Sequence, residues 1–234
     1  MVWQAKSSSS RACESPSLPK VLSPAEIADF RDRLCDAAER MFADHGAETV
    51  TIRQLAAAVG VSPMTPYRYF ADKEAILAAV RARAFDRHAE VLEQAYALSP
   101  PNERAAAIAD AYVRFALDNP EAYKLMFAIT QPNEANYPDL VRAGERSRRT
   151  MMLQLKDEMA ARLIVGDPVL VAHVYWAALH GPLMLHFAGK LPKGLDARTL
   201  VFTLMATLDR GTLQSGQSRM PAPEMAPEGL SLDC

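Results

Sequence analysis

The sequence has few of the residues that mark a disulfide-rich, metal-binding or strongly charged protein. Its three cysteines, at positions 13, 35 and 234, are an odd number and lack the spacing of a metal site. We expect reduced thiols, as in a cytoplasmic protein. The formal net charge is only −2, so no global basic field points to a nucleic acid. Any binding of DNA or RNA must therefore depend on a few local cations.

Signatures of catalysis are also missing. The sequence has no nucleophile elbow, glycine-rich phosphate loop or paired-carboxylate pattern. His173 and His180 share one helix face, but seven helical residues separate them by about 10 Å, too far for one metal ion without further ligands. We expect no enzyme activity, no catalytic residue, no cofactor and no metal. An enzyme and a helical scaffold that binds only protein are the alternative classes.

One long segment, residues 169–189, contains no Asp, Glu, Lys or Arg. It holds three histidines and the pair Gly181-Pro182, so a helix of a soluble protein, buried on most sides, fits it better than a membrane span. The N-terminus has no apolar core after its charges and predicts a flexible tail, not an export signal. These features predict a cytoplasmic protein that makes no membrane contact.

The spacing of apolar residues predicts an all-α protein of about nine helices. Half of the residues are hydrophobic, which is enough for a core, and no convincing alternating strand occurs. Residues 1–22 and 216–234 are rich in Ser and Pro and are expected to be flexible tails. Between them we predict a three-helix domain over residues 23–71 and a larger helical domain over residues 72–215.

Capping signals set the predicted helix starts. Two capping boxes, Ser23–Glu26 and Thr51–Gln54, open the first two helices, and Gly46 and Gly60 end them. A long helix is expected from about residue 139 to residue 164. Other helices are expected to begin at four further capping positions: Asp72, Asn119, Asp167 and Asp196.

Residues 55–62, Leu-Ala-Ala-Ala-Val-Gly-Val-Ser, join two short helices through a tight turn. The alanines allow close approach, Gly60 accepts a left-handed turn, Val61 anchors the turn to the core, and Ser62 is expected to cap the third helix. Two short helices after a longer packing helix form a helix-turn-helix. The second short helix enters the major groove of DNA and the first crosses the phosphate backbone. The sequence therefore predicts a DNA-binding domain.

Residues 34–80 carry five runs in order: Leu-Cys-Asp-Ala-Ala-Glu-Arg-Met-Phe, Thr-Ile-Arg-Gln-Leu-Ala, Gly-Val-Ser, Tyr-Arg-Tyr-Phe and Asp-Lys-Glu-Ala-Ile-Leu. This arrangement resembles the DNA-binding domain of TetR/AcrR-type regulators. Trp176 and His180-Gly181 resemble the variant C-terminal domain named for a Trp-His-Gly (WHG) pattern. The resemblance implies an all-helical homodimer, a palindromic operator in double-stranded DNA, and a C-terminal ligand pocket. It also implies a transcriptional repressor that a small molecule releases from its operator.

The resemblance also implies a set of DNA contacts. Met64 and Thr65 occupy the turn that reads bases, Arg53 reaches a base edge or a phosphate, and Ser62 caps the recognition helix. The remaining four residues are expected to contact phosphates. Two alternatives stay open: Tyr69 packs against the first helix, and Arg68 is a solvated side chain. The implied DNA-contacting residues are Thr51, Arg53, Ser62, Met64, Thr65, Tyr67, Tyr69 and Lys73.

Two features are unusual for such a domain. Pro66 replaces the family's usual aliphatic residue; we expect it to push Thr65 out of helical geometry and to make the first turn of the recognition helix irregular, while its ring fills the apolar position. Residues 24–80 contain nine acidic and six basic side chains. DNA contacts must therefore come from helix dipoles, hydroxyls and a few cations.

The C-terminal half offers candidates for a ligand pocket and for a dimer interface. A pocket rich in Met and aromatic residues would take a largely apolar small molecule, although the same residues suit an ordinary core. The last two helices, 167–189 and 196–213, carry more apolar surface than one subunit can cover, which predicts a four-helix interface across a twofold axis. The candidate ligand-binding residues are Tyr112, Phe115, Tyr123, Phe127, Met151, Trp176 and His180.

Overall fold

The structure, a computed structural model, describes residues 23–127, 133–161 and 166–213, and all regular secondary structure in these ranges is helical. No strand occurs in these ranges, which confirms the all-α prediction. The predicted tails and the predicted helix end at Ile164 lie outside the described residues. The α-helices are α1 (Pro24–His45), α2 (Ile52–Ala58), α3 (Lys73–Leu98), α4 (Arg104–Asp118), α5 (Pro120–Met126), α6 (Pro138–Ala160), α7 (Pro168–Phe187) and α8 (Ala197–Leu213).

Two short 3-10 helices, Pro66–Arg68 and Glu134–Asn136, complete the fold. The predicted count of about nine helices thus compares with eight α-helices and two 3-10 helices in the described part. The main difference lies at the third helix of the DNA-binding domain, where a single 3-10 turn stands in place of an α-helix.

Five of the seven predicted capping residues cap the start of their helices as expected. The hydroxyls of Ser23 and Thr51 each accept a hydrogen bond from the third backbone N–H of their helix, and both capping boxes are complete. Asp72, Asp167 and Asp196 each accept a backbone N–H at 2.8 Å. Asn119 differs, because its side-chain amide donates to the carbonyl of Phe115 at 3.0 Å and so caps the end of α4 rather than the start of α5.

Two hydrophobic clusters form the interior, and α3 contributes to both. Its first turns, with Ile76 and Val80, pack with α1 and α2 around Leu34. Its later turns, with Phe85 and Leu92, pack with α4 to α8. Because one continuous helix contributes to both clusters, a movement of the second cluster can reach the first through α3.

A network of ion pairs and a buried hydrogen bond joins α3 to α6. Arg146 of α6 donates to Glu93 at 2.8 and 2.6 Å and to Asp86 at 3.1 Å. His88 of α3, which is 1 % exposed, contacts the hydroxyl of Ser147 through Nδ1 at 2.7 Å. Its Nε2 is buried without a hydrogen-bond partner in the described part of the chain. Burial lowers the pKa of His88 from 6.5 to about 3, so the ring stays neutral.

We expect His88 to make stability fall with acidity. Below pH 6.5 the unfolded chain binds a proton at this position, whereas the folded chain does so only near pH 3. Between these values the free energy of unfolding should fall by about 1.4 kcal/mol per pH unit from this group. Urea unfolding at pH 7, 6 and 5 should show a shallower decline for His88→Gln. The exposed His186→Gln should keep the wild-type decline, and identical slopes for all three proteins would contradict this account.

Candidate DNA-binding surface and ligand cavity

The turn between α2 and the recognition element is built around Gly60. Gly60 has φ +72°, the left-handed conformation that the sequence predicted. The N–H of Val61 donates to the carbonyl of Ala56 at 3.0 Å, which closes the turn. Leu55 and Ala56 are completely buried, and Val61 packs on the N-terminal cluster. The turn therefore fixes the direction in which the following residues leave α2.

The recognition element, residues 62–70, consists of successive tight turns around Pro66. Thr65 N–H donates to Ser62 O at 2.9 Å, Arg68 N–H to Thr65 O at 3.1 Å, and Phe70 N–H to Pro66 O at 3.0 Å. The buried Pro66 ring fills the apolar position, as expected. The expectation that Pro66 displaces Thr65 from helical geometry is wrong, since Thr65 has φ −63° and ψ −44°. In an α-helix the Ser62 carbonyl would accept a hydrogen bond from the N–H of residue 66, which proline lacks. Here that carbonyl accepts from Thr65 N–H instead, so the turn loses no hydrogen bond at Pro66.

Ser62 does not cap a helix as predicted. Its hydroxyl lies 3.1 Å from the hydroxyl of Thr65, and the 3-10 helix starts without a side-chain cap. The reason is that the N–H of Thr65, three residues after Ser62, donates to the Ser62 backbone carbonyl instead of to its hydroxyl. The two hydroxyls form one polar patch at the start of the recognition element.

Five side chains around the recognition element are exposed. Met64 is 70 % exposed and Tyr67 is 51 % exposed. Arg53 and Arg68 are exposed as well, and neither forms an ion pair with another described residue. The Thr51 hydroxyl is exposed and donates to the side chain of Gln54 at 2.8 Å. These groups can contact a DNA duplex without a rearrangement of the core.

Tyr69 and Lys73 have intramolecular partners. The half-buried Tyr69 ring lies 4.8 Å from the ring of Phe30 in α1, so Tyr69 packs against the first helix. The ammonium of Lys73 donates to the carbonyls of Ala47 at 2.8 Å and Glu48 at 3.1 Å. Lys73 thus ties the start of α3 to the loop that precedes Thr51. An ammonium has three N–H donors, so these two bonds leave a donor for a phosphate.

A cavity of about 470 Å³ lies between α4, α6, α7 and α8. Its apolar wall includes Ile108, Met151, Met152, Leu155, Trp176, Leu179 and Phe202. Its polar lining consists of Arg148, Gln154, Glu158, His173, Tyr175 and Asp209. The volume suits a drug-sized small molecule.

The predicted ligand-binding residues divide into two groups. Met151 and Trp176 line the cavity. The other five lie outside its lining, because they form an aromatic cluster with α3, α4 and α5: Tyr112, Phe115, Tyr123, Phe127 and His180. These five residues therefore belong to the hydrophobic core and not to the cavity wall.

The aromatic cluster is tied together by hydrogen bonds. Trp176 Nε1 donates to the hydroxyl of Tyr112 at 3.2 Å, the Tyr112 and Tyr123 hydroxyls lie 2.9 Å apart, and the Tyr123 hydroxyl lies 2.7 Å from Nδ1 of His180. Burial lowers the pKa of His180 and raises the pKa of Tyr112 to about 12, so these groups are neutral. The network holds Trp176 in the cavity wall.

Sequence reasoning missed the polar cavity residues because it looked for aromatic and Met side chains. The available signal was periodic: Arg148, Met151, Leu155 and Glu158 recur on one face of α6. Burial raises the pKa of Glu158, and the nearby charge of Asp209 adds to the effect. Among the described residues no group of three or more His, Cys, Asp or Glu side chains could hold a metal ion.

The apolar helix α7 keeps much of its surface exposed within a single chain. It is long and apolar enough to cross a membrane, but only 22 % of its most apolar window is buried within the chain. Burial of α7 on most sides therefore stays a prediction that requires a second subunit. Its outer face carries four exposed large apolar residues: Leu170, Val174, Met184 and Leu185. The reason is that α7 packs on α8 and the cavity walls with its inner face only.

Together, an exposed recognition element held by a glycine turn and a separate helical region with a cavity define a helix-turn-helix transcriptional regulator. The profile described as "Bacterial regulatory proteins, tetR family" matches residues 34–80, and the profile described as "Tetracyclin repressor-like, C-terminal domain" matches residues 105–208. Together they span more than half of the 234 residues. The chain belongs to the TetR family of bacterial regulators.

Individual relatives agree with this assignment. The chain is 28 % identical over 153 residues to the HTH-type transcriptional regulator BetI of Rhizobium meliloti, covering 62 % of this chain and 75 % of that protein. A structure of a Rhodococcus sp. RHA1 protein of unknown function is 30 % identical, covers 86 % of this chain and 100 % of its own, and has a TM-score of 0.67. A TetR/AcrR regulator from Thermobifida fusca shares the fold at 23 % identity, with a TM-score of 0.58 over 78 % of this chain and 98 % of its own. The narrower WHG assignment stays a prediction.

Proposed function

We propose that the protein is a homodimeric repressor that leaves its operator when a small molecule occupies the cavity. The observation that carries this proposal is that α6 contacts both the cavity and α3. This helix forms one wall of the cavity and is bonded through Arg146 to α3, whose first residue is Lys73. A ligand that displaces α6 would thereby move the end of α3 beside the recognition element. Repression and release follow the common behaviour of the family, whose members bind operator DNA and usually act as dimers with small-molecule ligands.

The proposed DNA contacts follow the sequence prediction, with changed roles for Ser62, Arg68, Tyr69 and Lys73. Met64, Thr65 and Arg53 face base edges, and Thr51, Ser62 and Tyr67 position phosphates. Tyr69 contributes chiefly through its packing on Phe30, and Lys73 both holds the loop before Thr51 and offers a donor to a phosphate. Exposed Arg68 joins the phosphate-binding set. The boundary between residues 71 and 72 divides a DNA-binding domain from a ligand-binding domain. Helix α3 connects the two domains.

The proposed dimer forms through α7 and α8. The four exposed apolar side chains of α7 offer a surface that a second copy would cover, and pairing two such helices across a twofold axis gives a four-helix interface. This arrangement spaces two recognition elements for the half-sites of a palindrome. A dimer also removes the apolar face from water, in accord with a cytoplasmic protein.

Replacing Lys73 with Ala tests the DNA-binding surface. The variant should bind every DNA sequence more weakly, and the slope of log affinity against log salt should flatten by about one unit per subunit, because one phosphate contact is lost. Thr65→Val should instead change the preference among related operator sequences at similar salt dependence. Filter binding at several salt concentrations measures both effects.

The control for this experiment is Lys156→Ala, which removes an exposed lysine from α6. It should leave affinity and salt slope unchanged. An unchanged salt slope in Lys73→Ala would mean that Lys73 serves only the loop between α1 and α2.

A further inference from the structure

The segment between Arg53 and Arg68 has few of the side chains that read base pairs by hydrogen bonding. Residues 54–67 contain no Asp, Glu, Lys, Arg, His or Asn. In the major groove, paired hydrogen bonds from Arg or Lys identify guanine, and paired hydrogen bonds with Asn or Gln identify adenine. Gln54 is the one residue of this segment that belongs to either set.

Gln54 is already committed to the start of α2. Its side-chain oxygen Oε1 accepts the backbone N–H of Thr51 at 2.8 Å and the hydroxyl of Thr51 at 2.8 Å. A carbonyl oxygen has two lone pairs, so these two bonds occupy both of them. A paired contact with adenine needs this oxygen as an acceptor. Gln54 therefore cannot read adenine in this way unless the capping box opens.

The hydroxyls of the segment add little discrimination. Those of Ser62 and Thr65 lie 3.1 Å apart, and the hydrogen bond between them leaves one hydroxyl hydrogen of the pair to donate elsewhere. A hydroxyl both donates and accepts, so it can contact more than one kind of base. Hydrogen bonds from residues 54–67 therefore cannot specify much of a half-site.

Met64 offers a different kind of contact. It is the most exposed large hydrophobic side chain of the segment, at 70 %, whereas the neighbouring Pro66 is buried. Among the groups that base pairs present in the major groove, only the C5 methyl group of thymine is apolar. Contact between this methyl group and the Met64 side chain would remove apolar surface of both from water, which is favourable. A flexible Met side chain adapts its shape to such a contact.

We propose that Met64 reads a thymine in each half-site of the operator by contact with its C5 methyl group. The inference rests on the proposed function, because it names the base that the same DNA-binding surface recognises. Arg53 and Arg68 lie at the two ends of the segment, so paired hydrogen bonds to a base are left to Arg53. The half-site therefore contains at least one T·A pair that is recognised without a hydrogen bond to it.

Uracil isolates the contribution of the methyl group, because it pairs with adenine as thymine does and lacks only this group. The probe is a duplex that the protein selects from a random-sequence pool, prepared once with thymine and once with uracil in its place. The wild-type protein should bind the uracil duplex about tenfold more weakly, about threefold for each of the two contacted methyl groups. Equal affinity for the two duplexes would overturn the proposal.

A substitution assigns the contact to Met64. Met64→Ala should bind the thymine duplex about tenfold more weakly than the wild-type protein and should distinguish thymine from uracil by less than about twofold. The control is Leu98→Ala, which shortens a side chain that is 85 % exposed at the end of α3 and should keep the wild-type difference. Retention of the tenfold difference in Met64→Ala would overturn the assignment. Because Met64 is exposed, its replacement leaves the core intact.

Cytosine and 5-methylcytosine provide a second comparison on the unaltered protein. Single uracil substitutions first locate the thymine whose methyl group contributes to affinity. At that position of both half-sites, a C·G pair removes the methyl group, and a 5-methyl-C·G pair restores it at the same place in the groove. The methylated duplex should bind about tenfold more tightly than the unmethylated one. Equal affinity of these two duplexes would also overturn the proposal.

The same duplexes separate this inference from the proposed function. If the selected duplex binds more tightly than a scrambled duplex but its thymine and uracil versions bind equally, the reading of thymine by Met64 is wrong while operator binding stands. If the selected and scrambled duplexes bind equally, the proposed function itself fails.

Discussion

Replacing Val174 and Leu185 together with Glu should convert the protein from a dimer into a monomer. The two side chains are 40 % and 45 % exposed on the outer face of α7, so two charges there cost little within one subunit. In a dimer the same charges would be buried against a second copy, which is strongly unfavourable. Loss of the second recognition element should lower operator affinity by about 100-fold or more, because the two half-sites no longer bind as one unit. Sedimentation and DNA titration measure the two effects.

Leu98→Glu is the matched control. Leu98 is 85 % exposed at the end of α3 and lies outside α7 and α8, so its substitution should leave both the dimer and the affinity unchanged. A wild-type protein that sediments as a monomer at micromolar concentration would contradict the proposed interface. Partition of the wild-type protein into lipid vesicles through α7 would contradict it as well.

Replacing Arg146 with Met should leave operator binding within about threefold of wild type but remove most of its sensitivity to the cavity ligand. Arg146 joins α6, a wall of the cavity, to Glu93 and Asp86 of α3. Coupling between two sites is typically worth about 1–3 kcal/mol, or about 5- to 150-fold in affinity. Without these bonds, α6 can move without α3, so the apparent operator affinity should change much less when a ligand occupies the cavity.

Reciprocity provides an internal check on this prediction. In the wild-type protein, operator DNA must weaken binding of the cavity ligand by the same factor by which that ligand weakens DNA binding. Arg142→Met is a useful control, because Arg142 contacts Asp86 at 3.5 Å but forms no ion pair with Glu93 among the described residues. Full ligand sensitivity in Arg146→Met would show that the coupling passes through another element.

Local signals made much of the fold predictable from sequence. The capping boxes at Ser23 and Thr51 and the left-handed turn at Gly60 act over a few residues, so the sequence around them suffices. The recognition element was harder to predict. The effect of Pro66 depends on whether the carbonyl four residues before it, that of Ser62, already accepts a hydrogen bond. In the structure the Ser62 carbonyl is bonded to Thr65, and Thr65 stays helical.

The ligand site was less predictable, because composition does not distinguish a cavity wall from a core. Tyr112, Tyr123 and Trp176 are all aromatic, yet only Trp176 reaches the cavity. The distinction depends on how α4, α6 and α7 pack, which is a long-range property. Glu158 and Asp209 come from separate helices, so their proximity could not be inferred from spacing in the sequence.

The central claim, that this protein binds a specific operator through its helix-turn-helix, is tested most directly by selecting bound fragments from the genomic DNA of its source organism. The account predicts that one palindromic sequence is enriched and that it binds at least about 1,000-fold more tightly than a scrambled sequence of equal length at 150 mM salt. Equal affinity for the enriched and scrambled sequences would contradict the account.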